Sequence, residues 1–217
     1  LRRVLEAFRV ARRLWAGETV DHDGTFQAAD ASLNYAVESI PVYVGAQGPH
    51  MLRMSGKHAD GVLVNAAHPR DLSWSDDRIA EGVEERPADR GAVDVAAYAS
   101  VSVAEDSEAA REAARPPVAF IAGSAAPPVL ERHDLDRETA ASIGEAIEAG
   151  DFETAFEAVT PAMIDAFTIA GTPETVADRI RQASDYVDSF VVASPLGPDP
   201  ASAISLAADA LDRAGMA

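Results

Sequence analysis

Four short runs of apolar, β-prone residues are spaced along the chain and alternate with longer stretches of helical periodicity. The runs are 40–44, 61–65, 93–103 and 190–193. The first of them, 40–44, is continuously apolar, which is typical of a strand buried on both faces of a parallel sheet. Strands that alternate with helices predict right-handed crossovers and an α/β fold, either an open doubly wound sheet or a (β/α)8 barrel.

The first helix and the turn after it have local signals. Apolar residues of 1–16 share one helical stripe, and Gly17 is expected to end that helix. Asp23-Gly24 then predicts a tight turn between two short extended pieces.

Thr172 followed by Pro173 and Glu174 is a strong helix start, with a cap, a proline at the first helical position and a carboxylate near the positive end. Pro127-Pro128 prevents 121–135 from forming one regular element. A helix is expected after Pro49 with Gly56 near its end, and the helix that begins at Pro173 is expected to run to about Tyr186. Further helices are expected at 70–86, 106–120, 136–149, 151–159, 161–169 and 199–213.

The number of strands bears on the extent of the domain. Four strands are too few to close a barrel, which usually needs about 250 residues or more. The 217 residues open on a helix without an initiating Met, so we expect the C-terminal part of a longer protein. The bare edge of its first strand would favour association.

The chain is strongly acidic, with 18 Lys and Arg against 36 Asp and Glu and a net charge of −18. This balance argues against a nucleic-acid partner, because phosphate binding needs a basic surface. Lys57 is the only lysine, and alanine is abundant. Such a composition predicts a halophilic protein, for which salt screens carboxylate repulsion, or else a GC-rich genome that favours Ala and Arg codons.

Several other classes of protein and kinds of site lack support in the sequence. There is no cysteine, and no apolar run nears the about 18 residues of a membrane span. Arg9, Arg12 and Arg13 interrupt any signal-peptide core, so a cytoplasmic location is expected. The five histidines lack metal-ligand spacing, and 131–134 is interpreted as a solvated charged segment. No nucleophile elbow, Walker loop or Rossmann fingerprint occurs, and no single carboxylate stands out as a catalytic acid.

The strongest local signal for binding is Gly45-Ala46-Gln47-Gly48-Pro49, which joins a predicted strand to a helix. The two glycines would let the backbone approach a ligand and adopt positive φ. Amides of the loop and of the first helical turn would then face outward, with the helix dipole behind them, and hold a phosphate or carboxylate. The alternative is a sharp strand–helix turn that simply needs small residues.

Asn65 and His68 follow the second predicted strand. Ligands of parallel α/β proteins sit at the carboxyl ends of the strands, which makes both residues candidates for contact with an anionic group. The alternatives are a loop cap for Asn65 and an exposed loop histidine for His68.

Six stretches stand out in order along nearly the whole chain: 40–52, 59–65, 93–98, 117–133, 171–176 and 194–199. Together they resemble the coenzyme F420-dependent methylenetetrahydromethanopterin reductases, a branch of the luciferase-like monooxygenase superfamily. Gly171-Thr172-Pro173-Glu174 marks only the superfamily, whereas 117–133 points to the reductase branch.

The resemblance implies a (β/α)8 TIM barrel of the luciferase-like type. Residues 1–217 would be the C-terminal portion of this single domain, with strands five to eight and a helical insert at about 121–170. It also implies F420, a deazaflavin with a phosphate-linked tail. By position, Gln47 and Gly48 would supply amides to the phosphate, and the turn would be shaped by Gly45, Ala46 and Pro49.

Asn65 and His68 match positions of this family that approach the phosphate and tail of F420. The implied reaction transfers a hydride from reduced F420 to a methylene-tetrahydropterin of the methanopterin or folate type. The family's acid and a non-prolyl cis peptide lie on early strands outside this sequence, so no catalytic residue is assigned. A homo-oligomer is expected by resemblance.

Two alternatives remain. One is another enzyme of the same barrel, either a flavin-dependent monooxygenase that binds FMN or a different F420 oxidoreductase. The other is a truncated, non-catalytic remnant that serves as an assembly subunit.

Overall fold

The computed structural model describes residues 1–38 and 40–216. The chain divides into two compact units. The first comprises Leu1–Leu63 and Asp77–Asp94, and the second comprises Val64–Asp76 and Val95–Ala217.

The described residues form short strands separated mostly by helices, as the sequence pattern predicts. The strands are β1 Val20–Asp23, β2 Gln27–Ala31, β3 Tyr43–Ala46, β4 Gly61–Val64, β5 Asp94–Val103, β6 Ile169–Gly171 and β7 Ser189–Leu196. The helices are α1 Arg2–Trp15, α2 Pro49–His58, α3 Pro69–Val83, α4 Ser107–Ser124, α5 Pro127–Arg132, α6 Arg137–Glu148, α7 Phe152–Glu157, α8 Pro161–Phe167, α9 Pro173–Ala183 and α10 Pro200–Ala214.

In the first unit, β1 and β2 form an antiparallel hairpin with Asp23 opposite Gln27. The Gly24 N–H donates to the Phe26 carbonyl at 3.0 Å, which confirms the predicted tight turn. Strands β3 and β4 are hydrogen-bonded neighbours joined through α2. Phe8 of α1 packs in one apolar cluster with Val44 and other residues around α2.

In the second unit, β5 pairs in parallel with both β6 and β7. Val101 lies opposite Ile169, and Tyr98 lies opposite Val191. Helices α9 and α10 cover this sheet segment through a buried cluster that includes Val176 and Ile180. The prediction of a parallel α/β fold is confirmed.

Strand β6 is absent from the sequence prediction, which continued a helix to residue 169. Helix α8 ends at Phe167, and Thr168 already has extended backbone, with φ −144° and ψ 158°. Ile169 is 2% exposed and pairs with Val101. Burial of this β-branched side chain beside β5 outweighs the local helical periodicity.

Strand β3 differs from the prediction of a strand buried on both faces. It begins at Tyr43, later than the predicted run, and its residues alternate between exposed and buried. Val44 is buried, whereas Tyr43 is 44% exposed and donates its hydroxyl to Asp94 at 2.7 Å. A half-buried strand follows the alternating period of two rather than a continuous apolar run.

The predicted insert at 121–170 consists mainly of α5 to α8, which pack with α4 around their own apolar cluster. Val118, Ile143 and Met163 are fully buried there. Helix α4 extends to Ser124, four residues beyond its predicted end. Helix α9 ends at Ala183, before its predicted end at about Tyr186. The last three predicted residues, Ser184–Tyr186, form a 3-10 turn instead.

Candidate functional site

The loop after β3 leaves space beside its main chain. Gly45, Gln47, Gly48 and Pro49 are exposed, and Ala46 is buried beneath them as the last residue of β3. A Cβ built on Gly45 or Gly48 would meet nothing within 4 Å. A ligand can therefore approach this backbone closely.

The expected positive φ is wrong for both loop glycines. Neither Gly45 nor Gly48 belongs to the described residues with positive φ, and Gly48 has φ −88° and ψ 153°. The turn into α2 is made in extended backbone, which any residue adopts. The absence of side chains at these positions thus bears on access, not on backbone conformation.

Helix α2 begins without an anionic side chain. Gly48 occupies its N-cap, Pro49 follows, and there is no acidic residue in the first turn. Met51 and Leu52 donate their amides to the Gly48 carbonyl at 3.0 Å. By contrast, an Asp side chain accepts first-turn amides at four other helices, at Asp106, Asp136, Asp151 and Asp199. The first turn of α2 therefore carries no carboxylate that would compete with an anion for its amides.

Asn65 and His68 lie in the second unit, between β4 and α3. Asn65 is exposed. His68 is half-buried and begins α3, because its carbonyl accepts the amides of Asp71 and Leu72 at 3.0 and 3.1 Å. Its Nδ1 also accepts the Arg70 N–H at 3.0 Å. His68 is therefore a helix cap rather than a freely solvated loop residue.

A buried polar cluster lies beside His68 and escapes the sequence analysis. The Asp71 carboxylate accepts a hydrogen bond from Arg132 Nη1 at 2.5 Å and pairs with His133 Nε2 at 2.7 Å. The side chains of Asp71 and His133 are only 12% and 4% exposed. The Arg132 guanidinium stacks 4.3 Å from the centroid of the Trp74 ring.

The interpretation of 131–134 as a solvated charged segment is therefore wrong for its two central residues. Arg132 and His133 turn inward because Asp71 offers both oxygens to them. No local pattern indicates this burial, because Asp71 lies 61 and 62 positions away from the two residues along the chain.

The electrostatics of the cluster follow from its burial. Burial alone would raise the pKa of Asp71, but hydrogen bonds from His133 and Arg132 outweigh it and hold the pKa below its usual value. Burial, with Arg179 and His133 nearby, lowers the pKa of His68 to about 4. Asp71 is thus an anion and His68 a neutral ring at neutral pH.

Residues 1–38 and 40–216 hold no group of three or more His, Cys, Asp or Glu side chains that could bind a metal ion. None of the helices in these ranges is long and apolar enough to cross a membrane.

Comparisons with known proteins agree on one family. The luciferase-like monooxygenase family model matches residues 1–191. A 5,10-methylenetetrahydromethanopterin reductase of Archaeoglobus fulgidus is 42% identical over 212 residues, which are 95% of this chain and 64% of that protein. An F420-dependent glucose-6-phosphate dehydrogenase of Gordonia bronchialis is 32% identical over 117 residues, 52% of this chain and 35% of that protein.

Solved structures give the same result. The coenzyme F420-dependent tetrahydromethanopterin reductase of Methanopyrus kandleri superposes with a TM-score of 0.85 at 41% identity, over 94% of this chain and 60% of that one. An F420-dependent secondary alcohol dehydrogenase shares the fold, with a TM-score of 0.72 at 20% identity, over 97% of this chain and 60% of that one. The chain thus spans under two thirds of the length of the reductases it matches.

Proposed function

The chain belongs to the luciferase-like monooxygenase family, and from this premise we propose that the protein is an F420-dependent reductase of methylene-tetrahydropterins. The observation that carries the proposal is the 42% identity to a methylenetetrahydromethanopterin reductase over 95% of this chain. The TM-score of 0.85 with the Methanopyrus reductase agrees with it. The family indicated by the sequence motifs is thereby confirmed.

We propose further that β3, β4, β5 and β7 are strands five to eight of a (β/α)8 barrel, with α5 to α8 as an insert. The support is the match to about 60% of the Methanopyrus reductase. A homo-oligomer, a cytoplasmic location and adaptation to high salt are proposed from the resemblance and the acidic composition alone.

The loop after β3 suits the phosphate-bearing tail of F420. The open space at Gly45 and Gly48 admits a phosphate to the backbone, and the start of α2 carries no competing carboxylate. We assign the amides of Gln47 and Gly48 to the phosphate, and Ala46 and Pro49 to the shape of the turn. Asn65 and His68 are proposed as further contacts of the tail.

When bound, reduced F420 would supply the hydride that converts the methylene-pterin to the methyl-pterin, and would itself be oxidised to F420. The residues of this chain would act by holding the tail and so fixing where the reactive ring lies. None of them is assigned as the acid, and the described side chains of the loop after β3 include no carboxylate.

Binding of two cofactors tests the assignment. We expect the intact protein in molar KCl to bind F420 more tightly than FMN, because the resemblance is to F420 enzymes. Fluorescence titration with each cofactor gives the two Kd values. Tighter binding of FMN would contradict the proposal and favour a flavin-dependent monooxygenase.

The relative from Gordonia is named an F420-dependent glucose-6-phosphate dehydrogenase, so the experiment should distinguish sugar-phosphate oxidation from pterin reduction. Oxidation of reduced F420 is expected with methylene-tetrahydromethanopterin or methylene-tetrahydrofolate. Reduction of F420 by a sugar phosphate, with no turnover of either pterin, would assign the protein to the other class. F420 binding without turnover of any of these would favour a non-catalytic subunit.

A further inference from the structure

We propose that His68 binds the anionic tail of F420 as a neutral imidazole that donates a hydrogen bond from Nε2. Three residues are assigned as positioning residues that hold its ring: Asp71, Arg132 and His133. The identity of the ligand rests on the proposed function, whereas the state of the ring rests on the contacts described below.

The backbone sets which nitrogen of His68 carries the proton. Nδ1 accepts the Arg70 N–H at 3.0 Å, so Nδ1 holds a lone pair rather than a hydrogen. A neutral imidazole with an unprotonated Nδ1 has its hydrogen on Nε2. Within residues 1–38 and 40–216, Nε2 of His68 has no hydrogen-bond partner and is not among the buried polar atoms that lack one. It is therefore a donor open to a ligand.

The surroundings oppose the charged form of His68. Its backbone begins α3, whose N-terminus carries the positive end of the helix dipole. Burial lowers its pKa, and so do the charges of Arg179 on α9, of His133 after α5 and of Arg70 on its own helix. Asp71 is the one group with the opposite effect among the main contributors. The net result is a pKa of about 4.

The neighbouring cluster fixes the plane of the ring. The His133 ring meets the His68 ring edge-on, with centroids 4.8 Å apart and planes at 73°. His133 is in turn held by Asp71 at 2.7 Å, and Asp71 by Arg132 at 2.5 Å. Because each of these groups is anchored to the next, the direction of the His68 Nε2–H is set before a ligand arrives, which lowers the entropy lost on binding.

The first test needs no ligand. We expect long-range 1H–15N NMR spectra of the intact protein to show His68 as the Nε2–H tautomer at pH 7, with protonation only below about pH 5. The signals are assigned by their loss in His68→Asn. An Nδ1–H tautomer or an imidazolium at pH 7 would overturn the inference.

The second test separates the two ring nitrogens. Asparagine places a polar group near Nδ1 and lacks the distal donor, whereas glutamine reaches the position of Nε2 with an amide N–H. His68→Asn should raise the Kd for F420 about tenfold or more, since a hydrogen bond to a charged group is lost. His68→Gln should stay within about threefold of the wild type.

The pH dependence of the wild-type Kd for F420 gives a further check on the protonation state of His68. The wild-type Kd should be flat between pH 6 and pH 8, because a neutral donor does not titrate there. Equal losses in both variants, or a Kd that rises steeply above pH 6.5, would contradict a neutral Nε2 donor. No F420 binding by the wild type would defeat the proposed function and the ligand assignment, while the NMR result would still decide the state of the ring.

A double-mutant cycle tests the positioning role. Asp71→Asn removes the carboxylate that anchors His133 and should raise the Kd for F420 severalfold. In the His68→Asn background the same change should alter the Kd by less than twofold, since its effect passes through His68. Equal losses in both backgrounds would give Asp71 a merely structural role and overturn its assignment as a positioning residue.

Discussion

Gly48 is the N-cap residue of α2, and because it has no side chain it leaves the start of that helix open. A Cβ there would meet no neighbouring atom within 4 Å, and the backbone φ of −88° is open to any residue. Substitutions at Gly48 can therefore change the charge at the loop without disturbing the fold.

Gly48→Asp should raise the Kd for F420 well over tenfold. The new carboxylate would accept the first-turn amides of α2 itself and repel an incoming phosphate. Because Asp is a preferred N-cap, the Tm should be unchanged or higher. Gly48→Asn has the same size and capping ability without the charge, and should keep most of the affinity. An unchanged Kd in Gly48→Asp would remove this loop from the site.

At the scale of elements, α4 and α6 cross where two glycines meet. A Cβ on Gly123 would lie 2.9 Å from the Gly144 Cα, and a Cβ on Gly144 would lie 2.7 Å from the Gly123 carbonyl oxygen. Such distances leave no room for a methyl group. The backbones can approach this closely only because both side chains are absent.

Gly144→Ala should therefore destabilise the helical insert by about 1–3 kcal/mol, the usual cost of overpacking, even though Ala has the higher helix propensity. Urea denaturation measures the change in free energy of unfolding. Ser142→Thr adds a methyl group on the exposed side of the same helix and should change it by no more than about 0.5 kcal/mol. Equal stability of the two variants would show that the helices separate easily.

At the scale of the whole molecule, the excess of 18 negative charges governs the response to salt. Surface ion pairs such as Lys57–Glu85 lose strength as salt screens them, but they are worth little each. Repulsion among the unpaired carboxylates is screened at the same time, and it involves many more charges.

We therefore expect the Tm to rise by several degrees between 0.1 and 1 M KCl, where the Debye length falls from about 10 to about 3 Å. Differential scanning calorimetry at constant pH measures this. Screening should be nearly complete at 1 M, so a further rise that stays linear to 3 M would point to ion exclusion instead. A falling Tm would mean that the ion pairs dominate.

Features with a local cause were predictable from the sequence. Thr172 caps α9 by accepting the Thr175 N–H, as its position before Pro173 predicts. The turn at Asp23-Gly24 and the end of α1 before Gly17 depend in the same way on residues within a few positions of each other. The order of strand, short loop and helix around 45–49 was predictable for the same reason, whereas the binding role of this loop stays a prediction.

Other features depend on residues that only the tertiary structure brings together. Asp71 and His133 are 62 positions apart, and nothing in the charged segment around His133 indicates that its ring is buried. The three residues of β6 continue a helical pattern in the sequence, but they form a strand because they pair with β5. Helix caps, turns and periodicity were set by the sequence alone, since they need only neighbouring residues. Burial and the pairing of buried charges were decided by packing, because their free energy comes from partners that no local pattern encodes.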